Sequence, residues 1–217
     1  MIATCPAGIS IQCDADLLAI RSDAVLRIAS TAVHGGGLTH GRCIVSARVP
    51  SSYSGREPAR DIQKLAAARG LRPDVGLMTA VDLSKARSAT AACGEVTATA
   101  VVTAGLSRTW AAGSRLRPVA GAGTINLIVL LNAGLEDAAG LNLIATVTEA
   151  KVLTLATFGI LTEEGEPASG TATDAVVVAW PACATRRFSY GGPATAPGWA
   201  AAAATRTALG EAMGRSR

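Results

Sequence analysis

A chain of 217 residues, 49% of them hydrophobic, is long enough to enclose one sizeable core, and no Pro/Ser-rich linker or charge block divides it, so residues 1–217 read as a single domain. Only 3% are aromatic, so that core must be built from Ala, Val, Leu and Ile, and the hydrophobic share excludes a disordered chain. The net charge of +4 rests on scattered arginines without the basic stripe and interleaved aromatics of a nucleic-acid binder, so no nucleic-acid partner is expected.

Five cysteines (Cys5, Cys13, Cys43, Cys93, Cys183), an odd number without a C-x-x-C pair, signal neither a disulfide framework nor a zinc site; small buried thiols are expected. The N-terminal "MIATCPAGISIQCDADLL" lacks a basic start and an uninterrupted apolar segment, and no run approaches the roughly 20 residues of a membrane helix. A cytoplasmic protein with no membrane partner is the expectation. The oligomeric state is not legible, and a homo-oligomer stays open.

In chain order, "ISIQCDADLLAI" and "AVLRIAS" alternate as a strand pair, with Arg21-Ser22-Asp23 as the turn between them. "GREPARDIQKLAAARG" has a helical period, with Pro58 near its first turn and Gly70 after its last. "DVGLMTAVDLSKA" and "GEVTATAVVTAGL" read as neighbouring strands. "TINLIVLLNAG" is too apolar to face water on either side and belongs at the centre of a sheet. "EDAAGLNLIATVTEAKVLTLATFGI", with acids at its start and Gly159 at its end, is a helix packed on that sheet. "GEPASGTATDAVVVAW" is a loop feeding a second buried strand, and "PGWAAAAATRTALGEAMGR" closes the chain as a helix. The fold class is therefore mixed α+β (α/β), one layered domain with a buried sheet covered by long Ala-rich helices.

His34 and His40, the only histidines, are six apart around three glycines, a spacing that fits neither one helical face nor adjacent strand positions, so no metal site is expected. Chemistry then falls to hydroxyls, carboxylates, lysine and backbone amides. Gly-rich turns at Gly35-Gly36-Gly37, Gly121-Ala122-Gly123 and Gly191-Gly192 fit no phosphate-binding pattern and offer close backbone approach to a bulky ligand or an oxyanion. On a strand, Thr124, Asn126 and Ile128 share one face, so Thr124 and Asn126 project together at its head, within reach of one substrate atom. The next helix carries Asn142, Thr146 and Glu149 as a polar line, and the loop before the second buried strand brings Thr171, Thr173 and Asp174. Two core strands and one helix thus deliver polar groups where an apolar design would suffice.

The ordered series "STAVHGGGL", "VGLMTA", "VVTAGLS", "AGTINLIVLLN", "TEAK", "GTATDAVVVA" and "GGPAT" with "TALGEAMGR" resembles the adenosylcobinamide amidohydrolase family from about residue 25 to the C-terminus. The resemblance implies hydrolysis of the amide joining the corrin ring's propionyl arm to aminopropanol, giving adenosylcobyric acid for salvage into coenzyme B12. It also implies no cofactor, since the cobalt belongs to the corrinoid substrate. The layout of "AGTINLIVLLNAGLEDAAGLNLIATVTEAKVLTLATFG" followed by "GTATDAVVVA" is similar to the self-processing β-aminopeptidases, which implies an αββα arrangement and matches their hydroxyl nucleophile to Thr124. On that footing Thr124 attacks, directly or through water, and Asn126 or the amides of Gly121 to Thr124 hold the oxyanion. Glu149, Lys151 and Asp174 move protons, unranked, and Gly35 to Gly37, Gly123, Thr171, Thr173, Gly191 and Gly192 contact the substrate. Arg108, where the family favours Asn, and a long Ala-rich tail leave cobinamide against complete corrinoid undecided. A corrinoid carrier without activity and a hydrolase of other amides are the competing readings.

Overall fold

The computed structural model describes residues 8–115 and 123–214. β1 (Ile9–Cys13) turns back at once into β2 (Leu17–Ser30), with the Asp14 carboxylate accepting from the Asp16 and Leu17 amides at 2.8 and 2.9 Å. The turn expected at Arg21-Ser22-Asp23 is therefore misplaced, because those residues lie inside β2. Their Ser and Asp mark a bulge: against β3 (Gly37–Arg48), Arg21 pairs with Cys43 and Leu26 with Gly41, so five steps on one strand face two on the other. β3 itself has no counterpart in the sequence reading. Its first half mixes Gly, Thr, His and Arg at largely exposed positions, which hides the period of two.

α1 (Pro58–Ala67) has Pro58 in its first turn, and the chain leaves it through Gly70 at φ +68°. β4 (Val75–Thr79) follows, then a 3₁₀ turn over Leu83–Lys85 in which the Asp82 carboxylate accepts from the Ser84 amide. β5 (Arg87–Cys93) and β6 (Val96–Gly105) form a hairpin with Cys93 opposite Val96, and Gly94 at φ +58° supplies the first turn residue. After β7 (Thr109–Trp110) come β8 (Thr124–Leu131), β9 (Gly134–Leu135) and α2 (Asp137–Thr157). β10 (Gly170–Thr171), β11 (Ala175–Pro181), β12 (Arg187–Phe188) and α3 (Ala196–Ala212) complete the order.

The main sheet runs β4-β3-β2-β11-β8-β6-β5, with β1 added to β2. β8 is central and buried at all eight positions, as its composition demands, and lies parallel to β11 and antiparallel to β6. The segments expected to be neighbours, β4 and β6, are not: β4 lies at one edge beside β3, and β6 pairs with β5 and β8. The intervening "RSATAAC" makes the hairpin instead.

Side chains alternate along β8 as expected. Ile125, Leu127 and Val129 enter one apolar cluster with Leu143 and Val147 of α2 and Ala200, Ala204 and Ala208 of α3. Alanines let the helices approach the sheet closely. Ile128 and Leu130 enter a second cluster with Ile20, Ile44 and Leu77, from strands on the other side of the sheet order. The sheet thus folds over itself, and the Asn126 Nδ2 of β8 donates to the Met78 carbonyl of β4 at 2.9 Å. Ala66 of α1 packs on Val45 and Ala19 in a third cluster, so the layers run helix pair, sheet, sheet, helix, the expected αββα stack. The clusters are aliphatic apart from Trp180, which is 1% exposed.

Two expectations need correction. By length and composition α2 does reach the size of a membrane-crossing helix, but half of the segment is buried within the protein. Among the described cysteines, Cys13, Cys43 and Cys93 are half-buried and Cys183 is exposed, and all four are free thiols, so none is the fully buried filler expected.

Candidate active site

The parallel register of β8 and β11, with Ala175 opposite Asn126, brings the heads of the two central strands together. The turn before β11 therefore stands over the start of β8. Thr124 Oγ1 lies 2.7 Å from Thr173 Oγ1, and Thr173 Oγ1 donates to the Gly123 carbonyl at 3.1 Å. Thr171 Oγ1 also approaches that carbonyl, at 2.7 Å, and donates to Asp174 Oδ1. Each hydroxyl has one proton, and the charged carboxylate is the stronger acceptor for that of Thr171. The remaining order is Thr124 O–H to Thr173, and Thr173 O–H to the Gly123 carbonyl. Thr124 is 5% exposed while Thr173 is exposed, so the nucleophile candidate lies one hydroxyl beneath the surface.

Asp174 organises this end of the sheet. Its carboxylate accepts from Ile125 N at 2.9 Å and Thr171 N at 3.0 Å, and its Oδ2 lies 2.5 Å from Lys151 Nζ. The two side chains are only 8% and 11% exposed. An ammonium and a carboxylate this deep are tolerable only together, because either alone would lose its hydration uncompensated.

Two glycines are required by close approach. A Cβ on Gly170, which sequence reasoning did not single out, would lie 2.2 Å from Asp174 Oδ2 and 2.5 Å from Lys151 Nζ. A Cβ on Gly123 would meet the Gly105 and Arg108 carbonyls at 2.6 and 2.9 Å. The signal for Gly170 was its place directly before Thr171, but its reason lies in a lysine on another element. Gly121 and Ala122 lie outside the described residues.

The other sequence candidates separate. Asn126 shares the face of Thr124, is 3% exposed, and turns its amide into the space between the sheet layers. Glu149 is two residues from Lys151, roughly 200° around the helix, and is exposed on a groove between α2 and α3 beside Trp199 and Arg206. Gly191 is held by α2: its N–H donates to Asn142 Oδ1 at 3.2 Å and its carbonyl accepts from Thr146 Oγ1 at 2.9 Å. With Gly192 beside it, this turn is anchored five to nine residues from Lys151, about 7–13 Å along the helix at 1.5 Å per residue, outside the Thr124 hydrogen-bond network. Gly35, Gly36 and Gly37 form the β2–β3 turn, at the same end of the sheet as Thr124, since Ser30 pairs with both Gly37 and Val177. Gly35 has φ +67° and its missing Cβ leaves room for the Asp74 carbonyl.

His34 Nε2 donates to the Pro73 carbonyl at 3.0 Å, whereas His40 lies 3.3 Å from Arg27, so the histidines serve different places. Among the described residues no group of three His, Cys, Asp or Glu side chains could hold a metal.

The fold and site thus define a layered α+β domain with a hydroxyl chain and a buried lysine–aspartate pair at the head of its central strands. The family model described as adenosylcobinamide amidohydrolase matches residues 2–217. The chain belongs to that family. It is 34% identical over 149 residues to an adenosylcobinamide amidohydrolase of Methanosarcina mazei, an alignment covering 68% of this chain and 66% of that relative, just under two thirds of the relative's length. Among solved structures it is similar in fold to a protein of Pyrococcus horikoshii OT3 at TM-score 0.50 and 12% identity, over 100% of this chain and 83% of the other. A Burkholderia sp. β-aminopeptidase gives TM-score 0.48 and 17% identity over 98% and 82% of the two chains.

Proposed function

We propose that the protein hydrolyses the amide between the corrin propionyl arm and aminopropanol in adenosylcobinamide, releasing adenosylcobyric acid for coenzyme B12 salvage in the cytoplasm. The observation that carries this reading is the family match over residues 2–217 in a chain whose polar network converges on Thr124. The amide is unactivated, so the reaction needs a nucleophile, a route for protons and donors for the oxyanion. Thr124 Oγ1 adds to the carbonyl carbon, aminopropanol leaves once its nitrogen is protonated, and water releases the acid from the resulting ester.

Lys151 and Asp174 are the proton-moving pair in this scheme, because Lys151 contacts Asp174 and the Asp174 carboxylate accepts from the amide of Ile125, the residue after Thr124. The backbone amides of Gly123 and Thr124 are the oxyanion donors, that of Ile125 being held by Asp174. Attack by Thr124 on the preceding Gly123 carbonyl, which the Thr171 and Thr173 hydroxyls approach, is the alternative first step; cleavage there would free the Thr124 amine to act as base. Intact mass distinguishes the versions: two pieces divided at Gly123–Thr124 identify the self-processed form, one full-length species the side-chain form. The corrinoid brings its own cobalt, the protein uses no further cofactor, and nucleic acid and membranes are not its partners.

Adenosylcobinamide with the purified protein tests the reading. Aminopropanol appearing over many turnovers supports it; tight corrinoid binding without product identifies a carrier instead. Hydrolysis of β-peptides in preference to the corrinoid moves the substrate class to other amides.

A further inference from the structure

Four buried side-chain polar atoms have no hydrogen-bond partner among the described residues: Ser46 Oγ, Thr103 Oγ1, Asn126 Oδ1 and Thr205 Oγ1. Three of the four, on Ser46, Thr103 and Asn126, belong to residues lining one void of about 10 Å³. These residues are 2%, 4% and 3% exposed. Thr103 and Asn126 stand directly opposite each other in the β6–β8 ladder, and Ser46 reaches the same void from β3, in the sheet layer folded across them. Leu18, Val101 and Ile128 close the remaining walls.

Native interiors leave few polar atoms unpaired, and a cluster around one void is not the pattern of random omission. The Asn126 amide is oriented by its other contact: Nδ2 donates to the Met78 carbonyl, which can only accept, so Oδ1 is the atom left toward the interior. The ligand must therefore donate to an amide oxygen and exchange hydrogen bonds with two hydroxyls. It must also be small, since about 10–15 Å³ is the space one water needs. No ionisable side chain lines the void, so a bare cation would be desolvated there without counter-charge.

We propose that this void is a built binding site for a single water molecule. The water donates to Asn126 Oδ1 and to one hydroxyl and accepts from the other, joining β3 to β6 and β8 across the interlayer. The site lies on the same face of β8 as Thr124, two residues along. It stands on packing and hydrogen-bond satisfaction alone, whatever reaction the protein performs.

Thr103→Val and Ser46→Ala, singly and together in the full chain, test it by the sign of the change. If the water is present, each substitution removes one of its bonds and lowers Tm by about 2–4 °C, the shift that one lost hydrogen bond produces in a protein of this size. The double variant then falls by less than the two shifts added, because both side chains hold the same molecule. A dry void predicts the reverse for Thr103→Val: replacing an unpaired hydroxyl by a methyl of similar shape raises Tm, and that result overturns the proposal. A crystal structure of the unsubstituted protein gives an independent readout, one ordered peak within hydrogen-bonding distance of all three oxygens; an empty map there overturns it equally.

Discussion

Replacing Asp174 by asparagine removes the charge opposite Lys151 while changing little in volume. Lys151 Nζ sits 2.5 Å from Asp174 Oδ2, and the two side chains are 8% and 11% exposed, so solvent does little to screen the loss. Removing one partner of such a buried pair costs about 3–5 kcal/mol. The upper part of that range is expected, since the new amide nitrogen would confront Thr171 N–H and the ammonium, both donors. At about 2–4 °C per kcal/mol for a chain of this length, Tm should fall by about 10–20 °C. Adding Lys151→Met removes the stranded ammonium, so the double variant should be more stable than Asp174→Asn alone by at least about 2 kcal/mol. Thermal and urea unfolding of the four proteins of this cycle give the coupling directly. If the double variant loses as much as the two single losses added together, the pair is not the coupled unit described, and its place at the centre of the site fails with it.

Gly170→Ala should act on the same pair from the other side. Its Cβ must displace Asp174 Oδ2 and Lys151 Nζ from 2.2 and 2.5 Å, and kcat/KM for the amide should drop at least about 10²-fold, as misplacements near 1 Å do; unchanged kinetics would show the pair is idle. Leu127→Ala in the central strand should cost about 2–5 kcal/mol in urea unfolding, and a cost near zero would place β8 outside the core. The hydrogen bond from Arg27 holds the Asp137 carboxyl below the usual carboxylate range. A depressed folded value stabilises above the unfolded value and is lost as pH falls, so this contribution is complete above about pH 4 and fades below it. Because Asp137 is 51% exposed the contribution stays below about 1 kcal/mol. Arg27→Met should therefore flatten the acid limb of Tm against pH slightly, and an unaltered limb removes the assignment.

Composition and period made the central elements legible: β8 could be buried on both faces only at the centre of a sheet, and α2 and α3 followed from their small, apolar repeats. What escaped was set by long-range pairing. The Ser and Asp of Arg21-Ser22-Asp23 carry turn chemistry, but a bulge uses the same residues, and only the partner strand decides between them. The site divides in the same way. Thr124, Thr171, Thr173 and Asp174 stood out as polar groups at the mouths of apolar strands, and the parallel register unites them. Lys151 could not have been preferred to Glu149 from helix period, since α2 is apolar all round; only the burial of Val147, Thr154 and Leu155 on the Lys151 face separates them. Asn126 could not have been separated from Thr124, because its inward partner, the Met78 carbonyl, is supplied by the folding of the sheet over itself.

Turnover of adenosylcobinamide by the natural protein and by Thr124→Ala, with aminopropanol and the corrinoid acid both quantified, tests the central claim most directly. The natural protein is predicted to release the two products in equal amounts, and the variant to fold with near-native Tm yet lose at least about 10³-fold in kcat. A folded Thr124→Ala protein that releases aminopropanol at the original rate would contradict the account.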